Sequence, residues 1–404
     1  MKDGRELDRL IDEQLARGVD TLLPRDELKA KLQRSEKTGK PLRIKLGIDP
    51  SAPHLTLGHS VPLRKMRQFQ DHGHMGVLVV GDFTRRIGDP SGRSATRSLM
   101  SEEDIQRNLA TYQEQAFRIL DPERTEVRYN SEWLGALDFA GVIHLSAKYT
   151  VARMLERDDF SKRYAAGQPI SVLEFLYPLA QAYDSVAIEA DVELGGADQL
   201  FNLLVGRDIQ REYGQEPQIV MTVPLLIGTD GERAMSQTTG NYVGINEPAN
   251  EMFGKILSIP DSLIEQYYYF LTDVDMDAVK AEIEAKPRDA KRRLAETIIG
   301  MYHDPESAAA AAEEFDRIHV RHERPTDVPQ VTLDRSSVKD DGTIWVIDLL
   351  EASGLVSSRG EAKRLIKQGG VKINEERITS SEIDVSFVPP VLVQVGKRSF
   401  AEVV

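Results

Sequence analysis

Cysteine is absent from this chain of 404 residues. Its absence excludes disulfide bonds, thiolate metal sites and cysteine nucleophiles. Histidine is scarce, with eight residues, and the only close pairs considered as metal ligands are His72 with His74 and His319 with His322. Neither pair has a third ligand nearby at the spacing of a zinc site. We therefore predict that the protein side chains form no metal site.

Long apolar runs are also lacking. No stretch approaches the roughly 20 apolar residues that a membrane helix needs, so we predict no membrane partner. The first 20 residues are charged throughout, which predicts an exposed helix and argues against a secretory signal. Hydrophobic residues make up 41% and charged residues 29%, as in soluble globular proteins. A cytoplasmic location is the resulting expectation.

Positive charge is in deficit. The chain has 51 basic and 65 acidic residues, for a formal net charge of −14. Proteins that bind nucleic acid without specificity are usually basic overall. An RNA partner would therefore need local basic patches.

Short apolar runs alternate with helical patterns in the first part of the chain. Strands are predicted at 43–48 and 77–80, with a helix from Leu57 between them. This order within about 40 residues indicates a Rossmann-like parallel sheet of the α/β class. Two helices are expected over 171–212, and a further strand at 219–227.

The sequence divides into four predicted regions. The sheet domain covers 1–248, with a mostly helical insertion at about 100–160. A helical domain follows at 249–322, then a polar linker at 323–341. A small α+β domain covers 342–404.

Residues 49–59 join a predicted strand to a predicted helix. Gly58 allows a ligand to approach the backbone, and the helix start offers free N–H groups to phosphates. His59 could donate a hydrogen bond to a phosphate or ribose oxygen. Taken alone, a glycine at a helix start is more often a packing device.

Residues 81–93 form a second loop, rich in glycine and containing Arg85, Arg86 and Arg93. A surface loop of this composition is ordinary. Its position directly after a buried strand is more informative, because α/β sheets bind ligands at the carboxyl ends of their strands.

A third motif places Tyr177, Gln181 and Asp184 at i, i+4 and i+7, on one face of a helix. This face is too polar for an ordinary core. A solvated surface is the alternative, but the neighbouring residues are apolar, which favours a binding role. Residues 195–199 place an acid and an amide after two glycines, a pattern that suits ribose recognition and is also common in turns.

Four strings occur in the order IGDPSG (87–92), QAYD (181–184), DQ (198–199) and GNYV (240–243). Together they resemble the bacterial tyrosyl-tRNA synthetases of class I, in the subgroup with lysine at the position of Lys45. The resemblance covers nearly the whole chain. It implies a catalytic domain at 1–248, an anticodon-arm domain at 249–322 and an RNA-binding domain at 342–404. It further implies a homodimer that uses tyrosine, tRNA, and ATP with Mg²⁺.

The resemblance also implies roles for individual residues. Asp184 would accept a hydrogen bond from the phenol hydroxyl of tyrosine, with Lys45 close by. The full tyrosine-binding set is Lys45, Asp49, Asp89, Tyr177, Gln181, Asp184 and Gln199. Nucleotide-binding roles fall on Gly47, Gly58, His59, Asp198 and Met235. Catalytic roles fall on His59, Thr56, Ser236, Thr238, Arg93 and Arg97.

Both nucleotide motifs of that family are altered here. The family has His-x-Gly-His, whereas residues 56–59 read TLGH and begin with Thr56. The family has Lys-Met-Ser-Lys-Ser, whereas residues 234–238 read AMSQT, so Ala234 and Gln237 replace both lysines. Neither replacement can place positive charge on the leaving pyrophosphate. We expect a rate penalty of at least roughly 10³-fold, unless nearby arginines compensate.

These changes leave two rivals to a tyrosine–tRNA ligase. One is a paralogue that keeps the tyrosine pocket but activates tyrosine poorly with ATP, and acts in another tyrosine-using pathway. The other is a non-catalytic protein that binds tyrosine or RNA on the same scaffold.

The C-terminal segment 356–374 resembles the small RNA-binding domain of ribosomal small-subunit proteins and pseudouridine synthases. A basic helix flanked by glycines and followed by a strand favours contacts to phosphates over a merely solvated basic face. The predicted RNA contacts are Arg359, Lys363, Arg364, Lys367 and Lys372. Residues 286–293 hold five basic residues and predict a second tRNA contact.

Overall fold

The computed structural model describes residues 4–49, 54–88, 111–321, 323–326, 328–396 and 399–404. The chain divides into two compact units, the first ending at Tyr302 and the second beginning at His303. Helices of the segment 249–302 thus belong to the same unit as the sheet. The predicted boundaries at 248/249, 322/323 and 341/342 stay predictions.

A six-stranded sheet forms the centre of the first unit. Its strands are β1 (Thr21–Leu23), β2 (Arg43–Ile48), β3 (Met75–Val80), β4 (Thr125–Tyr129), β5 (Val192–Gly196) and β6 (Ile219–Val223). The spatial order is β1-β6-β5-β2-β3-β4. All neighbouring pairs are parallel except β1 with β6, which is antiparallel. The predicted Rossmann-like α/β fold is confirmed.

Helices surround this sheet and complete the first unit. They are α1 (Gly4–Arg9), α2 (Arg25–Thr38), α3 (Leu57–Asp71), α4 (Ser131–Leu134), α5 (Phe139–Ser146), α6 (Val151–Met154), α7 (Asp158–Ala165), α8 (Val172–Ala187), α9 (Leu200–Glu212), α10 (Ala249–Ser258), α11 (Ile264–Leu271), α12 (Met276–Ala285) and α13 (Pro287–Tyr302). A π-helical segment spans Leu10–Leu15, and 3-10 turns span Thr84–Arg86, Pro122–Arg124, Ala197–Gln199 and Asp261–Leu263.

Strand register determines which side chains meet on the sheet. In the parallel ladder between β2 and β5, Lys45 lies opposite Glu193. Partners in register point to the same face of a sheet. Both side chains are fully buried, so the register places two opposite charges together inside the protein.

Several predicted elements were wrong. The N-terminal segment is not an exposed helix, because Leu7, Ile11 and Leu15 are buried along one stripe at four-residue spacing. The strand predicted at 219–227 ends at Val223. The insertion predicted as mostly helical contains β4, whose five residues are all half-buried and which lies at the sheet edge. Strand β5 was missed because it contains a glutamate and two glycines, residues that are depleted in strands.

The second unit begins with one helix and continues as a small α+β structure. Its helices are α14 (Pro305–His319), α15 (Val346–Ala352) and α16 (Arg359–Lys367), with a 3-10 turn at Arg335–Ser337. Its strands are β7 (Gln330–Val331), β8 (Thr343–Trp345), β9 (Val371–Ile373), β10 (Glu376–Arg377), β11 (Asp384–Ser386), β12 (Val391–Val395) and β13 (Ser399–Val403). Five of them pair in the order β10-β9-β12-β13-β7, and β8 pairs with β11.

One apolar core holds this second unit together. It includes Ile344, Ile347 and Leu350 from β8 and α15, and Val391 and Val393 from β12, all without exposed surface. The segment predicted as a polar linker contributes β7, which pairs with β13.

Across the described ranges, no helix is both long enough and apolar enough to cross a lipid bilayer.

Candidate active site

Helix α8 carries the polar face predicted from the sequence. A capping box begins the helix: the Ser171 hydroxyl accepts from the Leu173 amide at 3.2 Å, and the Glu174 carboxylate accepts from the Ser171 amide at 2.8 Å. Tyr177 and Asp184 are each only 4% exposed. A solvated face is therefore excluded, and the polar side chains of this helix point into the protein.

Tyr177 reaches the end of β2. Its hydroxyl donates to Asp49 Oδ2 at 3.0 Å, and Asp49 is the residue after the last one of β2. Gly81, directly after β3, makes room for this carboxylate, because a Cβ at Gly81 would lie 2.1 Å from Asp49 Oδ1 and 2.6 Å from Thr84 Oγ1. The glycine is therefore required for Asp49 to lie between the two strand ends.

Asp184 lies against residues that follow β4. Its Oδ1 accepts from the Trp133 indole N–H at 2.7 Å, and its Oδ2 accepts from the Asn130 amide at 3.4 Å. Burial raises the pKa of Asp184 to about 7, although the charge of Lys45 and these two hydrogen bonds oppose the rise. Sequence reasoning missed Trp133 and Asn130, because it did not recognise β4, whose end would have pointed to them.

Lys45 is tied to the sheet and to α8 at once. Its Nζ lies 2.9 Å from Glu193 Oε1, and donates to the Ser185 hydroxyl at 2.8 Å and to the Gln181 carbonyl at 2.9 Å. Glu193 was also missed, because β5 was not predicted. Gln181 completes this cluster, since its side-chain amide lies 3.3 Å from Glu193 Oε1 and its Oε1 accepts from Asn202 at 3.0 Å.

The end of β5 turns directly into the Ala197–Gln199 turn. Gln199 Oε1 accepts from the Gly196 amide at 3.3 Å. A Cβ at Gly195 would lie 2.8 Å from Gln199 Oε1, and one at Gly196 would lie 2.5 Å from Asp198 Oδ1. The two glycines thus allow both predicted side chains to fold back over the strand end. On β2, a Cβ at Gly47 would meet nothing within 4 Å, which leaves open space beside that strand.

Thr56 and His59 form the N-terminal cap of α3. Thr56 is fully buried, its amide donates to His59 Nδ1 at 3.2 Å, and its hydroxyl oxygen lies 2.9 Å from the same nitrogen. A nitrogen that accepts from an amide carries no proton, so we assign the proton of the neutral ring to Nε2. The buried side chain of Thr56 therefore lies against His59 and helps to orient its ring, and its catalytic role stays a prediction.

His59 keeps a solvent-accessible edge at the start of α3. Desolvation by the surrounding protein nevertheless lowers the pKa of its imidazole below the ordinary value. The ring is therefore neutral at neutral pH and offers Nε2–H as a hydrogen-bond donor.

The altered loop 234–238 lies beside this cap. A Cβ at Gly58 would lie 3.6 Å from Met235 Cβ, so Met235 packs over the start of α3. The Ser236 hydroxyl accepts from the Thr238 amide at 3.2 Å, and Thr238 is exposed. The adjacent Arg233 pairs with Asp230 at 3.1 Å. Asp89, Arg93 and Arg97 lie outside the described residues.

The basic residues of α16 are exposed, but their charge is partly balanced. Arg359 pairs with Glu351 at 2.8 Å and Asp348 at 3.0 Å, and its guanidinium stacks over the Trp345 ring. Other predicted RNA contacts, Lys363, Arg364, Lys367 and Lys372, are exposed. In the run 286–293, three of the five basic residues pair with acids: Lys291 with Asp261, Arg292 with Glu296, and Arg293 with Glu282.

Comparisons with known proteins show the family to which the chain belongs. Residues 36–320 match the family of tRNA synthetases class I (W and Y), and residues 344–386 match the S4 domain. The chain is 51% identical to a tyrosine–tRNA ligase of Moorella thermoacetica, over 96% of this chain and 94% of that protein. It is 53% identical to a tyrosine–tRNA ligase of Thermotoga maritima, over 96% and 95% of the two chains.

Solved structures show the same fold. The mitochondrial tyrosyl-tRNA synthetase of Coccidioides posadasii, truncated at its C-terminus, superposes with a TM-score of 0.60 at 26% identity, over 76% of this chain and 91% of that one. A tyrosyl-tRNA synthetase of Archaeoglobus fulgidus, complexed with L-tyrosine, superposes with a TM-score of 0.61 at 20% identity, over 77% and 100%.

Replacing Asp184 with asparagine tests the burial of its carboxyl. The pKa of this group rises on folding from its ordinary 3.8 to about 7. Between these values the folded protein binds more protons than the unfolded chain, so rising pH destabilises the wild type. Asparagine does not titrate. Thermal unfolding should therefore show the variant gaining stability relative to the wild type as pH rises through this window, and a constant difference would contradict the assignment.

Proposed function

Because the chain belongs to the tyrosyl-tRNA synthetases of class I, we propose that it is a tyrosine–tRNA ligase, which activates tyrosine with ATP and transfers it to tRNA. One observation supports this most strongly. Tyr177 and Asp184, on the polar face of α8, contact residues directly after the carboxyl ends of β2 and β4, and those partners are buried or half-buried. Ligands of open α/β sheets bind at that edge.

Asp184 supplies the recognition of the phenol hydroxyl. It is a buried carboxylate that already accepts from Trp133 and Asn130, and each carboxylate oxygen accepts more than one hydrogen bond. Tyrosine adds a hydroxyl donor, whereas phenylalanine would place an apolar ring edge against a buried carboxylate. Asp49 and Tyr177, with Gln181, form the other end of the same row and suit the amino group of the substrate.

The nucleotide side works through position and neutral donors. The amides at the start of α3, the Nε2–H of His59 and the open space beside Gly47 suit ATP. The tyrosine carboxylate bonds to the α-phosphorus while the bond to the β-phosphate breaks, and pyrophosphate leaves. Mg²⁺ would enter the site bound to the phosphates of ATP.

The second unit supplies the tRNA contact. Helix α16 and strand β9 of this unit carry four exposed basic residues, Lys363, Arg364, Lys367 and Lys372. The match to the S4 domain covers all four. Arg359, Lys363 and Arg364 each pair with nearby carboxylates, which balance part of this charge.

Tyrosine-dependent exchange of labelled pyrophosphate into ATP tests activation. Exchange by the unaltered chain supports the ligase. Saturable tyrosine binding without exchange would favour the paralogue that has lost efficient ATP activation.

Introducing lysine at Ala234 should speed this exchange. Ala234 is exposed beside Met235, so the longer side chain fits and brings a positive charge to the leaving pyrophosphate. A charged donor to the transition state is commonly worth about 10²–10³ in rate, and we expect a gain of at least about tenfold in kcat. The control is Glu232→Gln, an exposed neighbour that also raises the charge by one unit; an equal gain there would show a nonspecific charge effect and contradict the prediction.

Asp184→Ala should weaken tyrosine binding at least about tenfold, because the phenol hydroxyl loses its acceptor. Isothermal calorimetry with the ligand-free protein measures this directly. The matched control is Asp198→Ala, an exposed acid assigned to the ribose instead of the phenol. Unchanged tyrosine affinity in the Asp184 variant would refute the assignment of the pocket.

We also propose that the ligase is a homodimer. Of the 13 large apolar side chains exposed in the described part of the chain, six fall within residues 139–173. They are Phe139, Ile143, Val151, Tyr164, Val172 and Leu173. Such clustering of exposed apolar residues along one segment is typical of an interface.

Phe139, which is 80% exposed, should be critical for this association. Phe139→Asp removes an aromatic contact and would bury a charge in the interface, so sedimentation should shift from dimer to monomer. Val388→Asp is the control, since Val388 is 73% exposed but lies in the second unit, away from this segment of the sequence. A dimer unaffected by Phe139→Asp would contradict the proposed interface.

A further inference from the structure

Residues 243–245, which follow the altered loop 234–238, form a short antiparallel ladder with the cap of α3. The Leu57 amide donates to the Val243 carbonyl at 2.9 Å, and the Ile245 amide donates to the Leu55 carbonyl at 3.0 Å. Thr56 and Gly244 form an isolated antiparallel bridge between these bonds. The segment that follows the loop is therefore attached to the start of α3.

Asn241, which follows the loop 234–238, supplies a framework for it. It is 4% exposed, its Oδ1 accepts from the Ser236 amide at 2.9 Å, and its Nδ2 donates to Asp230 Oδ2 at 3.0 Å. Gly228 packs directly on it, because a Cβ there would lie 2.3 Å from Asn241 Nδ2. The Met235 amide adds a bond to the Leu226 carbonyl at 2.7 Å. These bonds order the loop without any ligand.

Gln237, within the loop, makes a second attachment to the segment before α3. Its side-chain amide donates to the main-chain carbonyl of His54, two residues before Thr56, the N-cap of α3. The His54 ring is also held, since its Nδ1 lies 3.4 Å from Asn246 Nδ2. Gln237 is half-buried, so this bond is shielded from water on one side.

We propose that Gln237 is a positioning residue, whose amide ties the loop 234–238 to the segment before α3 and so places Met235 over Gly58 before any nucleotide binds. The role in nucleotide binding rests on the proposed function, whereas the tie itself is a property of the ligand-free protein. A neutral amide donor supplies no charge to pyrophosphate. Its contribution is to organise the nucleotide site in advance, which lowers the ordering cost of binding ATP.

Hydrogen exchange of the ligand-free protein tests the tie. The Met235 and Ser236 amides donate to Leu226 and Asn241, on either side of the loop, and exchange when the loop opens. Gln237→Met keeps the side-chain length but has no donor, so we expect both amides to exchange about tenfold faster. Gln237→Lys keeps a donor and should retain the protection. Glu232→Gln, at an exposed position two residues before the loop, is the control.

Kinetics separate a positioning role from a merely structural one. In tyrosine-dependent pyrophosphate exchange, Gln237→Met should raise KM for ATP several-fold and leave KM for tyrosine unchanged. Equal changes in both constants would overturn the positioning role.

Unchanged exchange of Met235 and Ser236 in Gln237→Met would overturn the tie itself, whatever the catalytic result. If the unaltered chain exchanges no pyrophosphate, the ligase function fails, while faster hydrogen exchange in Gln237→Met would still establish the tie. The two failures are therefore distinguishable.

Discussion

The buried pair of Lys45 and Glu193 is the constraint on which the amino-acid side of the site depends. Two charges without exposed surface must compensate each other, because an isolated buried charge is strongly destabilising. The strands β2 and β5 bring them into register, and Lys45 then donates to the Gln181 carbonyl and the Ser185 hydroxyl of α8. This ammonium group therefore fixes the helix on the sheet.

Once α8 is fixed, its side chains reach fixed positions along the strand ends. Tyr177 meets Asp49 after β2, and Asp184 meets Trp133 and Asn130 after β4. The partners are buried or half-buried, so water competes weakly for them. The result is a row of oriented acceptors and donors that is in place before a substrate arrives.

The nucleotide side is organised differently. It has a helix start, a neutral His59 and a framework of hydrogen bonds around Asn241, whereas Ala234 and Gln237 supply no positive charge. Preorganised neutral donors stabilise developing charge, although less strongly than cations do. The structure thus combines a row of side chains along α8 that depends on buried charges with a proposed nucleotide side that depends on the positions of neutral donors.

The sequence predicts those parts of the site that have a strong local pattern. The apolar run of β2 and the helix start at Leu57 follow from periodicity and turn residues, and the polar face of α8 follows from its i, i+4, i+7 spacing. Strand β4 was missed because its residues are half-buried at the sheet edge, and β5 because it contains a glutamate and two glycines. Without these strands, the sequence did not point to Trp133 and Asn130, which follow β4, or to Glu193 in β5. Burial of Thr56 depends on its pairing with Gly244, nearly 190 residues away, which no local pattern shows.

Calorimetric titration of the unaltered protein with tyrosine and with phenylalanine tests the central claim most directly, because the two ligands differ only in the hydroxyl from which Asp184 is proposed to accept a hydrogen bond. We expect tyrosine to bind saturably and phenylalanine to bind with an affinity lower by at least about tenfold. Equal affinity for the two amino acids would contradict it.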